Sequence, residues 1–235
     1  MRIGVISALE SEHKELACRI EGAKTTRIGH LEVIEGELSG NTLYLLTCGI
    51  AKVNAAIGAT ILIETFHPDC IVSTGVAGGI DTSVRIADVV ASRRVAHHDV
   101  WCGEGNLIGQ VQGLPLFYES DERLLKKALA LNTPDCACRV HEGDILTGEQ
   151  FISNQEQLLK IKSQFPGGKA VDMESAALAQ TCHLLKVPFI SFRIVSDLPG
   201  STEDNFKDYI DFFKTLAQRS FDITWRFLQS LSTIL

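Results

Sequence analysis

Apolar and polar positions along this chain follow two rhythms, and the switch between them recurs from one end to the other. Short runs that are β-branched, alternating or continuously apolar read as strands. They are Arg2–Ser7, Leu31–Leu38, Thr42–Thr47, Asp69–Thr74, Ala87–Ala96, His141–Leu146, Ala170–Met173 and Phe189–Val195, with Ser39-Gly40-Asn41 as a hairpin turn. Helical spacing fills the intervals: from about Glu10 to Ile20, Lys52–Thr65, Glu119–Leu131, Asn154–Phe165 (capped by Ser153 or Asn154) and Ser175–Lys186. His97–Tyr118 is irregular. Phe206–Leu231 predicts one long closing helix, whose stripe of Phe206, Tyr209, Phe213, Leu216, Phe221, Trp225 and Leu228 is first of all core. No linker, repeat or low-complexity segment interrupts the alternation. It predicts a single α/β domain over residues 1–235, with a central mixed, mostly parallel sheet flanked by helices.

The stretch from Lys169 to Asp197 condenses this pattern: a short strand ending at Glu174, an Ala- and Leu-rich helix, and an apolar strand ending at Asp197. A strand–helix–strand sequence normally forms a right-handed parallel unit. Glu174 and Asp197 would then leave the same sheet edge, where open α/β sheets bind ligands. Acids also begin many helices as caps, which accounts for either residue alone. The pair favours a site.

Composition narrows the options. The chain has 45% hydrophobic and 22% charged residues, enough for a large core. A net charge of -7 and a pI near 5.5 argue against nucleic-acid binding. Met1–Leu9 reads as a first strand and not as a signal peptide, and no apolar run approaches the ~20 residues of a membrane span, so a cytoplasmic protein is expected. Seven cysteines show no framework spacing, and Cys48, Cys70 and Cys182 sit in apolar runs as core residues. Cys136-Ala137-Cys138 does not fit the usual zinc spacing, and His97-His98-Asp99 with Cys102 lacks further ligands. No metal is expected.

Residues that a packed core does not need collect at strand ends: Glu10, Glu12, Gly49, the Gly75–Gly79 run with Ala77 and Gly78, Gly148 to Phe151, Glu174 and Asp197. The glycine run reads as a turn where a ligand can approach backbone N–H groups. It is neither a dinucleotide fingerprint nor a P-loop. Several carboxylates with few cations suit hydrolysis of a neutral, polyhydroxylated substrate. Phosphate chemistry would call for cations at these ends; Arg193 is the clear one, with Arg85 and Lys52 able to approach.

Seven blocks carry a resemblance: IGVISALESE (3–12), CGIAKVNAAIGAT (48–60), TGVAGGID (74–81), GEQFIS (148–153), AVDMESAALAQTCH (170–183), VPF (187–189) and RIVSD (193–197). Together they resemble the 5'-methylthioadenosine/S-adenosylhomocysteine nucleosidases of the nucleoside phosphorylase family. The resemblance implies a homodimer without metal or organic cofactor, hydrolysing an N-glycosidic bond to adenine and a thioribose. Carried onto this sequence, Glu12 activates water with help from Arg193, Asp197 gives a proton to the purine N7, and Glu174 binds the ribose hydroxyls above Met173. Phe151 stacks on the base, Ile152 reads its edge through backbone groups, and Ala77 and Gly78 belong to the cradle. Leu9, Ile50 and Met173 line the sulfur side, and Phe206 is the lid aromatic. Holding a proton on Asp197 at pH 7 requires about 4 kcal/mol against an ordinary pKa of ~3.9, which favours a proton shared with N7 only as the bond breaks and electron density moves onto the purine. Glu12 must instead stay ionised, the divergence expected of an acid and a base.

The sequence departs from the family in two places. Val76 stands where many relatives carry serine, and residues 98–114 lack the expected aromatic and proline cover for the 5' substituent, leaving Trp101, Leu107 and Ile108 to replace it or simply to pack. Three rival readings follow. A phosphorylase of the same fold would place a Gly-Asp-Pro-x-Arg loop where this chain has Ala8-Leu9-Glu10-Ser11-Glu12, and a carboxylate there repels phosphate. A sister hydrolase acting on an aminodeoxyfutalosine-type nucleoside differs only in its 5' pocket. A non-catalytic nucleoside-binding protein has no need of base and acid together.

Overall fold

Phe189–Asp197 is buried at every position, as a strand covered on both faces must be. The computed structural model describes residues 1–20, 22–133, 138–200, 205–215 and 217–233. In chain order they form β1 (Arg2–Ser7), α1 (Glu10–Ala17), β2 (Lys24–Ile28), β3 (Leu31–Leu38), β4 (Asn41–Thr47), α2 (Lys52–Phe66), β5 (Cys70–Gly79), β6 (Val89–His97) and β7 (Tyr118–Glu119). Then come α3 (Glu122–Leu129), β8 (Val140–Thr147), α4 (Gln155–Gln164), β9 (Gly168–Asp172), α5 (Ser175–Leu185), β10 (Phe189–Asp197), α6 (Asn205–Thr215), α7 (Ala217–Ser230) and a 3-10 turn, Leu231–Thr233. Cys136 and Leu216, and the Phe213 side chain, lie outside the described residues.

The sheet runs β10-β6-β8-β9-β5-β1-β4-β3-β2, with β7 on β6 and a further β10–β5 pairing. That last pairing closes β5, β10, β6, β8 and β9 into a ring, from which β1 to β4 extend as an arm. The long ladders β10–β5, β6–β8 and β1–β4 are parallel, while the β2–β3–β4 hairpins are antiparallel. The exposed polar strand β2 has no apolar alternation and was not legible as a strand. Helices α1, α3 and α7 pack on one sheet face through Leu16, Leu124 and Phe227, and α2 and α5 on the other through Leu62 and Leu178. Within β10 the alternation divides Phe192 and Ile194 from Phe189 and Val195 accordingly.

Three expectations are corrected. First, β9 and β10 are not a paired parallel unit: β9 lies parallel on β8 and crosses the end of β5 antiparallel, at Gly78↔Val171 and Gly79↔Ala170. β10 lies parallel on β5. Ring closure brings the ends of β9 and β10 together from different directions. Second, the glycine run is not a turn but the last half of β5, held in ladder by Arg193↔Gly75, Ile194↔Val76 and Val195↔Ala77. Third, the closing stripe is not all core. Phe221 and Leu228 are buried, with Phe227 stacked on Phe192 at 4.6 Å, but Phe206 is 57% exposed.

Local chemistry explains the helix starts. Asp121 caps α3 by accepting from the N–H groups of Arg123 and Leu124, and Asn154 caps α4 by accepting from Gln157. α2 starts differently. Ala51 sits at φ 79°, ψ 169°, a region that essentially only glycine occupies. This conformation directs its N–H onto Glu174 Oε1 at 2.9 Å. Such geometry costs about 1–3 kcal/mol in a non-glycine residue. Ala51→Gly is therefore expected to raise the unfolding free energy by roughly 1 kcal/mol after the unfolded-state entropy of glycine is deducted, seen as a higher urea midpoint. A lowered midpoint would show that the position carries no strain.

Candidate active site

Glu12 lies in the first turn of α1, and its side chain folds back over the start of its own helix. Oε2 accepts from the Ala8 and Leu9 N–H groups at 3.1 Å each, as the acid of a capping box does, and Oε1 accepts from Val76 N–H at 2.9 Å. The residue is 1% exposed. Burial pushes its carboxyl above the ordinary glutamate range, against the Arg193 charge and these three donors. Gly75 makes this placement possible. It adopts φ +135°, and a Cβ there would stand 2.6 Å from Glu12 Oε1.

Glu174 begins α5 but does not cap it; that task falls to Asp172, two residues earlier, which accepts from Ser175 N–H. Glu174 is thereby released to face the cavity, where Arg193 Nη2 lies 3.5 Å from Oε2. Burial pushes the Glu174 carboxyl up to about 7, with Arg193 opposing and Asp172 adding to the rise. Arg193, from the middle of β10, is itself buried. Its Nε lies 3.1 Å from Asp172 Oδ2, and its Nη2 donates to Ser73 Oγ at 2.9 Å. Burial works against its charge, but Asp172, Glu174 and Glu12 outweigh burial and hold it above the usual arginine value.

Asp197 ends β10 with 1% exposure. Ser196 Oγ donates to its Oδ1 at 2.6 Å, and its Oδ2 stands beside Gly78, 3.3 Å from where a Cβ would be. These groups surround a cavity of about 360 Å3, within the size range of small-molecule sites. Phe151, Phe206 and Tyr209 form an aromatic cluster on its wall, with Phe151 edge-on to Phe206 at 5.9 Å and to Tyr209 at 5.6 Å.

Of the residues that the sequence singled out, Leu9, Glu12, Ile50, Ala77, Gly78, Phe151, Met173, Glu174, Arg193, Asp197 and Phe206 all line this cavity. Ile152 lines a smaller one adjoining it, together with Gly78, Phe151, Met173 and Asp197. Arg85 and Lys52 do not join them. Lys52 Nζ is paired with Asp99 at 2.7 Å, and Arg85 lines a separate cleft with Asp88 and His141. Glu10 is exposed. Sequence reasoning missed Val171, Asp172, Ser196 and Tyr209. Tyr209 was legible as the i+3 neighbour of Phe206, and Ser196 as the neighbour of Asp197.

A sequence model of the phosphorylase superfamily matches residues 2–229. The 5'-methylthioadenosine/S-adenosylhomocysteine nucleosidase of Desulfotalea psychrophila is 35% identical over 232 residues, covering 98% of each chain. That of Bacillus subtilis is 36% identical over 232 residues, 98% of this chain and 100% of its own. Among solved structures, the nucleosidase of Colwellia psychrerythraea in complex with adenine has a TM-score of 0.92 at 33% identity, covering 98% of this chain and 96% of that one. The nucleosidase of Neisseria meningitidis in complex with methylthio-immucillin-A has a TM-score of 0.92 at 36% identity, covering 98% and 99%. With the family model and relatives of about 35% identity matched over nearly the full length, the chain belongs to the 5'-methylthioadenosine/S-adenosylhomocysteine nucleosidases of the phosphorylase superfamily.

Proposed function

We propose that the cavity hydrolyses the N-glycosidic bond of 5'-methylthioadenosine and S-adenosylhomocysteine, releasing adenine and the 5-thioribose product. The observation that carries this reading is the meeting of Glu12, Glu174 and Asp197 around one cavity, each at least nine-tenths buried. Glu174 holds the ribose hydroxyls, with Met173 beneath the sugar. Glu12 takes a proton from water as its oxygen attacks the anomeric carbon. The bond to N9 breaks, its electrons pass into the purine, and Asp197 supplies a proton to N7. Phe151 stacks on the base, Ile152 reads its edge, and Leu9, Ile50 and Phe206 enclose the apolar side. Among the described residues Arg193 is the one Lys or Arg lining the cavity, and it is already engaged by Asp172 and Glu174. That leaves little positive charge for inorganic phosphate and favours water as the nucleophile.

A homodimer is part of the same proposal. Val53 and Ile57, one turn apart on α2, are exposed apolar residues, as are Ile50 at the cavity mouth and Trp101. The Lys52–Asp99 pair ties the 98–101 segment to the start of this helix. A partner seated on this face would cover the mouth at Ile50 and could contribute to the 5' pocket.

Adenine release from 5'-methylthioadenosine is expected in phosphate-free buffer; strict dependence on phosphate would sink the hydrolase reading. Parallel assays with S-adenosylhomocysteine and an aminodeoxyfutalosine-type nucleoside fix the 5' group. Glu12→Gln and Asp197→Asn are each expected to lower kcat by about 100-fold or more while circular dichroism stays native. Near-normal turnover removes that residue from the mechanism.

Because the folded Glu12 pKa is raised, the base ionises above the ordinary 4.5, so the acid limb of the kcat/KM profile should lie above that value. Its linkage to stability has the opposite sign. The stability that protonated Glu12 contributes is present below 4.5 and is lost as pH rises through the folded value. Protonating Glu12 should therefore remove rate without weakening the fold, and a limb at or below 4.5 contradicts the assignment.

Sedimentation should give a dimer for the native protein and a shift toward monomer for Val53→Glu, with adenine release falling in parallel. A native monomer overturns the dimer proposal.

A further inference from the structure

Asp172 is more thoroughly engaged than a helix cap needs to be. Its Oδ1 accepts from Thr147 Oγ1 at 2.5 Å and from Ser175 N–H at 3.3 Å. Its Oδ2 accepts from Ser175 N–H at 3.2 Å and from Ser175 Oγ, and faces Arg193 Nε at 3.1 Å. Thr147 Oγ1 in turn accepts from Ala176 N–H at 2.9 Å, so both leading N–H groups of α5 end on the Asp172–Thr147 pair. The side chain is 2% exposed, and the residue lines the cavity.

Two consequences follow from these contacts. The backbone at Glu174 is fixed from two residues upstream, which sets the direction of its side chain toward Ala51 N–H and the cavity. The Nε edge of Arg193 donates to Ser175 Oγ at 3.3 Å and faces Asp172 Oδ2 at 3.1 Å. The guanidinium is thereby oriented with Nη2 between Ser73 Oγ and Glu174, and Nη1 3.5 Å from the Val76 carbonyl. Asp172 lies nearer the guanidinium than Glu174 does, so it takes the larger share of the single positive charge.

We propose that Asp172 is a positioning residue that shares Arg193 with Glu174, and so sets both the orientation and the protonation of the carboxylate that receives the ribose hydroxyls. The inference rests on the nucleosidase reading for the identity of the sugar, but not for the carboxylate pair itself. Every charged or titratable group that faces Glu174 enters the balance. Arg193 from β10 favours the anion; Asp172 from β9 and Glu12 from α1 oppose it; Ala51 N–H at the start of α2 donates to it. Cys48, after β4, stays a thiol, its pKa pushed up to about 12 by burial and by Glu174. Tyr209, from α6, is pushed up to about 12 by burial first and then by Glu12, Asp197 and Glu174, and stays neutral. With Asp172 present, burial and the Asp172 charge together push the Glu174 carboxyl up to about 7. Removing the Asp172 charge leaves Arg193 to Glu174 and lowers that value.

The test compares Asp172→Asn and Asp172→Glu with the native protein. In Asp172→Asn the Glu174 carboxyl, followed by carbon-13 NMR without substrate, is expected to titrate about one pH unit lower or more. With 5'-methylthioadenosine, KM is expected to rise about tenfold at pH 7, because the lost orientation of Glu174 and Arg193, worth about one charge-assisted hydrogen bond, outweighs the gain from a more fully ionised Glu174, while kcat changes less. The longer acid in Asp172→Glu should restore the native titration and most of the KM. A cap with no further role predicts a lowered melting temperature, an unmoved Glu174 titration and an unchanged KM in Asp172→Asn, and that result overturns the proposal. The NMR titration reads the carboxylate pair even if native protein releases no adenine, so failure of the nucleosidase reading and failure of this inference give different results. Should Asp172→Asn not fold, Thr147→Val, which removes one donor from Asp172, decides the matter. A Glu174 titration and KM left native in that variant overturn the proposal.

Discussion

A single buried guanidinium holds the site together. Arg193 stands within 3.5 Å of two carboxylates and within electrostatic reach of a third, and none of the four side chains meets bulk water freely. Losing one partner of a buried ion pair costs about 3–5 kcal/mol, because the survivor keeps its desolvation without its attraction. Here the imbalance exists already, since one positive charge faces Asp172, Glu174 and Glu12 together. Two resources make up the difference. Backbone N–H groups supply fixed partial charge, and burial, which pushes the Glu174 carboxyl up to about 7, lets a proton relieve the rest. An acid that can both hold and release a proton at pH 7 is well suited to sugar hydroxyls, which donate and accept.

Apart from Val76 N–H on β5, the backbone donors come from helix starts. Ala8 and Leu9 lead into α1 and bind Glu12, Ala51 leads into α2 and binds Glu174, and Ser175 opens α5 and binds Asp172. Helix N-termini carry partial positive charge and unsatisfied N–H groups, so three of them converging on one cavity offset the negative charge that the single arginine leaves over. The strained Ala51 belongs to this pattern. Its left-handed backbone spends stability to turn one more donor toward an acid that would otherwise be short of partners.

Much of this was legible in the sequence, because the acids stand at the ends of apolar runs and Arg193 is the one charge inside the apolar run Phe189–Val195. Glu12, Glu174, Arg193 and Asp197 stood out since nothing in a packed core calls for them. The alternation of strands and helices gave the fold class for the same local reason. What stayed hidden depends on partners far away in the chain. The β10–β5 pairing that closes the ring joins residues that no local period connects, so β9 and β10 read as neighbours when they are not. The glycine run read as a turn because its composition is that of a turn; only the facing strand reveals that Gly75 is extended to admit Glu12. Asp172 was passed over because one acid beside another in a short strand has no periodic signature, and its importance lies in Arg193, reached across the ring. The polar strand β2, held only by its hairpin with β3, lacks the buried face from which strands are recognised.

The same distinction resolves the departure at Val76. Judged by side chains, valine in place of serine removes a hydroxyl from the neighbourhood of the proposed base. Judged by backbone, the position contributes two groups that no side chain alters: its N–H donates to Glu12 Oε1 at 2.9 Å, and its carbonyl faces Arg193 Nη1 at 3.5 Å. Both depend on β5 remaining in register with β10, where Val76 pairs with Ile194, and a β-branched residue supports that extended geometry better than serine does. The anchoring of Glu12 is therefore a property of the strand, and the side chain at 76 is free to vary without moving the carboxylate it helps to hold.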